Sequence, residues 1–262
     1  MEAVHEIDYE IFGTEMQFVE IELDPMETVI AEAGAFMMME AGIEMKTILG
    51  DGTERRSGLF GKLGAIGKRY FSGEGLFMTA FTHNGDGKQK VAFAAPYPGK
   101  IIPIDLRELG GKVVCQKDAF LCAAKGVTVG IEFSKKLGRG FFGGEGFIMQ
   151  KIVGDGFAFL HAGGTVVERE LVIGEQLILD TGCLVGFTDG VSYDIKLVKG
   201  IKNMMLGGEG LFLTTLEGPG TVWVQSLPFS RLADRVIANV NWGKGEGSVL
   251  GKLGDMLDGR EE

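Results

Sequence analysis

One short run of residues recurs three times, at a spacing that makes the chain a set of copies of one unit. Ser72-Gly73-Glu74-Gly75-Leu76-Phe77-Met78 returns as Gly143-Gly144-Glu145-Gly146-Phe147-Ile148-Met149, and again as Gly207-Gly208-Glu209-Gly210-Leu211-Phe212-Leu213. A second element also occurs three times: Gly34-Ala35-Phe36 running to Gly42, Asp118-Ala119-Phe120 to Gly126, and Gly182-Cys183-Leu184 to Gly190. In each copy the glycine stands eight residues after the first position. From Gly126 to Gly144 is 18 residues, from Gly190 to Gly208 is again 18, and copies two and three are offset by 64 at both elements. The first copy is 13 residues longer between Gly42 and Gly73, which places an insertion at about residues 47–64. A third element follows each Gly-Glu-Gly run: a glycine turn and an apolar run, at Pro98–Ile104, Gly163–Leu171 and Gly218–Leu227. Fixed-period self-similarity marks a repeat architecture, in which one unit cannot bury its apolar face alone.

The repeats are built from short, β-branched runs bounded by Gly, Asn and Asp, the pattern of antiparallel strands. Glycine punctuates them: 43 of 262 residues, roughly twice the usual share, with no Gly-X-Y period and only 6 prolines. The expected fold is all-β: three tandem β-sandwich or double-stranded β-helix-like repeats closing around a pseudo-threefold axis, because closure removes exposed sheet edges. Repeats are expected at approximately 1–110, 111–174 and 175–228 within a single domain spanning 1–240. Apolar residues facing both sides of the strand after each Gly-Glu-Gly predict cover on both faces. A short helix is predicted at Ser230–Asn239, with Ser230 as N-cap and Leu232, Val236 and Ile237 on one face. Residues 241–262 form a Gly-rich acidic tail with a second candidate helix at Ser248–Leu257.

Twenty-six basic residues against thirty-six acidic ones give a net charge of −10, which opposes a nucleic-acid polyanion. Met1–Glu10 carries four acids and no apolar core, unlike a secretory signal or a transit peptide. No window approaches the ~18 apolar residues of a membrane-spanning helix, so any membrane contact is expected to be peripheral. Cys115, Cys122 and Cys183 form no CxxC pair and leave one thiol unpaired in any disulfide scheme; that suits a reducing cytoplasm, with each expected as a small core residue.

The Gly-Gly-Glu-Gly runs, the stretch Val29-Ile30-Ala31-Glu32-Ala33-Gly34-Ala35-Phe36-Met37 and the end Val222-Trp223-Val224-Gln225-Ser226-Leu227 resemble a widespread prokaryotic family. Its eukaryotic relatives are mitochondrial biogenesis proteins, named for altered inheritance of mitochondria. The resemblance covers roughly residues 5–240. It implies a fold like that of the tryptophan RNA-binding attenuation protein, triplicated in one chain, and assembly into rings or trimers. It implies no catalytic residue.

Two sets of residues stand out as candidate sites. Glu74, Glu145 and Glu209 fall at equivalent points of the repeats. They either gather a cation or share protons near the axis, or they are turn residues whose glycines adopt positive φ. From Glu54 to Tyr70, the insertion and the residues after it carry Arg55, Arg56, Lys62, Lys68 and Arg69 against one acid, with Phe60 among the apolar residues; a second basic-apolar cluster ends in Phe141 and Phe142. Such loops suit an acidic protein partner or an anionic membrane surface. His5, His83 and His161 stand apart, without the His-X-His spacing of a cupin-type metal site. Neither a Gly-X-Ser-X-Gly elbow nor a Walker A loop is present. No catalytic residue, metal ligand or cofactor is assigned. The expectation is a non-enzymatic, cytoplasmic, self-assembling β-repeat scaffold or binding protein, with a homo-oligomer favoured by 12 methionines and 18 phenylalanines. The alternative is a small-ligand binder with pockets between repeats.

Overall fold

The computed structural model describes residues 6–50, 77–135, 147–198 and 211–239. Among these the chain is all-β, with antiparallel sheets and a single C-terminal helix, as expected. The first sheet runs β1 (Asp8–Phe12), β2 (Phe18–Leu23), β7 (Gln89–Ala94), β4 (Phe36–Met39). The second runs β5 (Ile43–Leu49), β6 (Phe77–His83), β3 (Thr28–Glu32), β10 (Phe120–Ala124), β13 (Phe157–Gly163), β8 (Gly99–Asp105). The third runs β11 (Thr128–Lys135), β12 (Phe147–Val153), β9 (Lys112–Gln116), β16 (Leu184–Thr188), β19 (Gly220–Gln225), β14 (Val166–Leu171). The fourth has three strands, β15 (Gln176–Asp180), β18 (Leu211–Glu217), β17 (Ser192–Val198).

The pairings recur along the chain. Each strand that follows a Gly-Glu-Gly run is hairpinned to the strand before it, as β5·β6, β11·β12 and β17·β18. It also pairs with an earlier strand, as β3·β6, β9·β12 and β15·β18. The other half of the pattern is β4·β7, β10·β13 and β16·β19, and each of these three pairs slips register at the same place: Phe36/Met38, Phe120/Cys122 and Leu184/Gly186. A bulge repeated at equivalent positions is a built feature, since it sets the twist of the strand. Two seams then join successive units: β10 pairs with β3 through Ala123↔Ile30, and β16 with β9 through Phe187↔Val114.

Apolar alternation buries both faces of the inner sheets. In β3, Val29 and Ala31 enter a core shared with the first sheet, while Ile30 enters a core shared with the third. A further core, with Phe187, Leu216 and Val222, lies between the third and fourth sheets. In the strands after the first two Gly-Glu-Gly runs, β6 and β12, the expected cover on both faces comes from the same chain: Met78 and Ile152 enter the core between the second and third sheets, Phe81 the one shared with the first sheet and Phe147 the one shared with the fourth. Gly42 and Gly126 lie at φ +97° and +99°, where only glycine is unstrained. Their counterpart Gly190 has a different constraint: a Cβ there would stand 2.6 Å from the Pro219 carbonyl.

Two expectations need correction. Residues 220–225 were expected to match the strands at 99–105 and 166–171, yet β8 and β14 each pair with one neighbour whereas β19 lies between β14 and β16. The cognates of β19 are β7 and β13; a glycine turn before an apolar run looks alike in both strand roles. The helix, α1, spans Phe229–Asn239, so Ser230 sits inside its first turn. Pro228, with φ locked near the helical value, starts the helix one residue early. Val236 and Ile237 are exposed on it. The second candidate helix lies outside the described residues.

At Gly186, inside the β16·β9 seam, an added Cβ would stand 2.7 Å from the Val114 carbonyl oxygen. Gly186→Ala is expected to lower unfolding stability by about 1–3 kcal/mol, read as a shifted urea midpoint.

Candidate functional site

Glu74, Glu145 and Glu209 lie outside the described residues, as do Arg55, Arg56, Phe60, Lys62, Lys68, Arg69, Phe141, Phe142 and His5. The strands that follow the three glutamates, β6, β12 and β18, are equivalent in pairing. Among the described residues no group of three His, Cys, Asp or Glu side chains is placed to hold a metal ion. No described helix is long and apolar enough to cross a membrane. Cys115 and Cys122 are buried, Cys183 is half-buried, and burial pushes the Cys115 and Cys122 thiols well above their usual range.

The described residues show an arrangement that the sequence reading missed. Four sheets have eight edges. Six carry a charge or proline within the strand: Asp8 and Glu10 in β1, Glu44 and Lys46 in β5, Lys100 and Pro103 in β8, Glu132 in β11, Glu168 to Glu170 in β14, Asp194 and Lys196 in β17. Such residues keep an edge from pairing with another chain. The remaining two, β4 and β15, are Phe-Met-Met-Met and Gln-Leu-Ile-Leu-Asp, whose only charge is at the end. Their cognates are buried. Phe120 and Leu184 are 2% and 0% exposed where Phe36 is 40%; Ile30 and Val114 are 2% and 3% where Ile178 is 61%. Met37, Met38 and Met39 are exposed as well. A uniform Phe-Met run at a position filled by Phe-Leu-Cys-Ala and Leu-Val-Gly-Phe elsewhere was the available signal.

A polar group also breaks the pattern within the core. At the end of β19, Gln225 accepts from the Gly163 N–H at 2.8 Å and donates to the Gly182 carbonyl at 2.9 Å. Its cognate in β13 is His161, 1% exposed, and the residue in the place of Gly163 is Pro98, which has no N–H to give. Neither ring nitrogen of His161 makes a hydrogen bond of good geometry among the described residues, and the ring packs edge-on against Tyr97 at 4.3 Å. Burial lowers its pKa to about 4, opposed only in part by the nearby Tyr97 main chain. Burial, with the Asp118 carboxylate adding to it, raises Glu32 at the end of β3 to about 7. His83, by contrast, is satisfied: Nε2 is 2.9 Å from the Gly87 carbonyl, and Nδ1 accepts from the Gly85 N–H. An open groove of about 860 Å³ lies between the Leu109-Gly110 turn, Val172-Ile173 and Pro219.

A model of the mitochondrial biogenesis AIM24 family matches residues 9–227. The chain belongs to this family. An uncharacterised protein of Streptococcus pyogenes serotype M6 is 30% identical to it over 222 residues, 83% of this chain and 85% of the relative. The crystal structure of a Streptococcus pyogenes protein superposes with a TM-score of 0.70 at 24% identity, covering 90% of this chain and 100% of that one. That likeness supports the all-β fold of this AIM24-family chain.

His161 and Glu32 give opposing pH dependences. The histidine's depressed pKa contributes stability above about pH 6.5 that is lost as pH falls toward 4; the carboxyl's raised pKa contributes stability at low pH that is lost as pH rises through 7. Between pH 7 and 4.5 the two offset each other. Glu32→Gln is expected to unmask a fall of roughly 2–3 kcal/mol in unfolding free energy over that interval, and His161→Gln a rise. Urea unfolding at stepped pH reads both slopes.

Proposed function

We propose that this AIM24-family chain is a non-enzymatic β scaffold that works by self-assembly. The observation that carries the reading is the pair of unguarded apolar edges, β4 and β15, exposed at positions whose cognates are buried in seams. An edge strand presents a row of N–H and C=O groups to solvent, and natural sheets blunt such edges unless they are to be used. Here six edges are blunted and two are not. Contiguous exposed apolar side chains mark an interaction surface rather than a soluble face. In the chain's own pseudo-symmetry, which the family resemblance also implies, these two edges flank the place where a third seam would lie.

Sedimentation tests the reading. The chain, 28.2 kDa, is expected to run as one discrete particle of several copies at micromolar concentration. A stable single chain over the same range would overturn self-assembly.

A further inference from the structure

We propose that the groove between the Leu109-Gly110 turn and Val172-Ile173 takes an extended segment of a partner protein, in which an arginine neighbours an aliphatic residue.

The groove has a counterpart in the preceding unit, and there the chain itself supplies a segment. The register Phe157↔Asp105 in one unit and Thr221↔Glu170 in the next makes Asp105 the counterpart of Glu170, and Arg107 that of Val172. The turn at Asp155-Gly156 likewise corresponds to Pro219-Gly220. Beside Arg107 and Asp155 run Glu6, Ile7 and Asp8, the lead into β1, and the space left is about 420 Å³ against about 860 Å³ beside Val172. Ile7 is 5% exposed, and Tyr9 continues the contact edge-on to the Phe157 ring at 5.2 Å. No described segment does the same beside Val172 and Ile173, which are 68% and 85% exposed.

Charge decides which segment fits. In the preceding unit Arg107 donates to the Asp105 carboxylate through Nε at 3.0 Å and Nη2 at 2.8 Å, and Glu6 lies 3.6 Å from the same guanidinium. With valine in the arginine's place, Glu170 has no such cation. Among the described residues, neither Glu170 nor Glu108 on the facing turn has an ion pair or a side-chain hydrogen bond. Asp189, by contrast, is held by Lys112 at 2.8 Å. No lysine or arginine is among the described residues that line the groove. Two unpaired carboxylates flanking an exposed valine and isoleucine suit a guest that carries both a cation and an apolar side chain. Arginine fits better than lysine, because its planar fork binds a carboxylate through two N–H groups, as Arg107 does at Asp105. An acidic segment would meet like charges.

Fluorescence anisotropy on the full chain tests the site, with a labelled peptide Ser-Gly-Arg-Ile-Lys-Gly-Ser, the charge-inverted form of Glu6-Ile7-Asp8 between flexible ends. Saturable one-to-one binding with a Kd below about 1 mM is expected. Glu170→Gln is expected to weaken it about fivefold, the size of a partly exposed ion pair. Ile173→Ser in the protein, or serine for isoleucine in the peptide, is expected to weaken it too. Because the chain carries a net charge of −10, the double variant Glu10→Gln/Asp86→Asn is the control, and it leaves binding unchanged. All four protein positions are exposed, so urea midpoints stay in place. Failure to saturate in that range overturns the proposal. An equal loss in the control variant does so as well, since the binding would then belong to net charge. Equal affinity for argininamide alone also overturns it, by making the guest a small cation rather than a peptide.

Discussion

Main-chain pairing across the seams is the constraint on which the rest depends. Neither unit of strands joined by β10·β3 or β16·β9 is complete without its neighbour: the second and third sheets each take strands from two successive units. That sharing lets a sheet bury both faces. Val29 and Ile30, adjacent in β3, serve two different cores, so a one-residue slip at the seam would exchange the two sets of side chains. The close approach at Gly186, and the bulge repeated beside each seam strand, fix that register locally.

Much of this was legible in the sequence, for physical reasons that differ by element. The strands after each Gly-Glu-Gly run were readable because their apolar runs are short and start at glycines. The Gly42 and Gly126 turns were readable because a left-handed backbone leaves a glycine signature. The role of β19 was not, since strands of two different roles share a glycine turn and an apolar run, and only pairing separates them. His161 could not be distinguished from a functional histidine either. Its isolation comes from Pro98, more than sixty residues earlier, lacking an N–H. The carboxylates and basic loops singled out in sequence fall outside the described residues, so the candidate surface came from the sheets instead.

The unguarded edges were hidden for a different reason. An exposed Phe-Met-Met-Met run and a buried Phe-Leu-Cys-Ala run are both simply apolar in sequence. What separates them is whether a further strand covers them: among the described residues β10 and β16 each lie against a second strand on the side where β4 has none, and β3 and β9 are covered on the side where β15 is not.

The thioethers of Met37, Met38 and Met39 stand open to solvent on β4, and that exposure has a chemical cost. Peroxide adds an oxygen to an accessible methionine sulfur and makes a greasy side chain a dipolar sulfoxide, a lesion that dedicated reductases reverse. On a buried strand the change would go unmade. On this one it would wet the edge proposed to carry self-assembly, tying the integrity of any such assembly to the oxidative state of its surroundings.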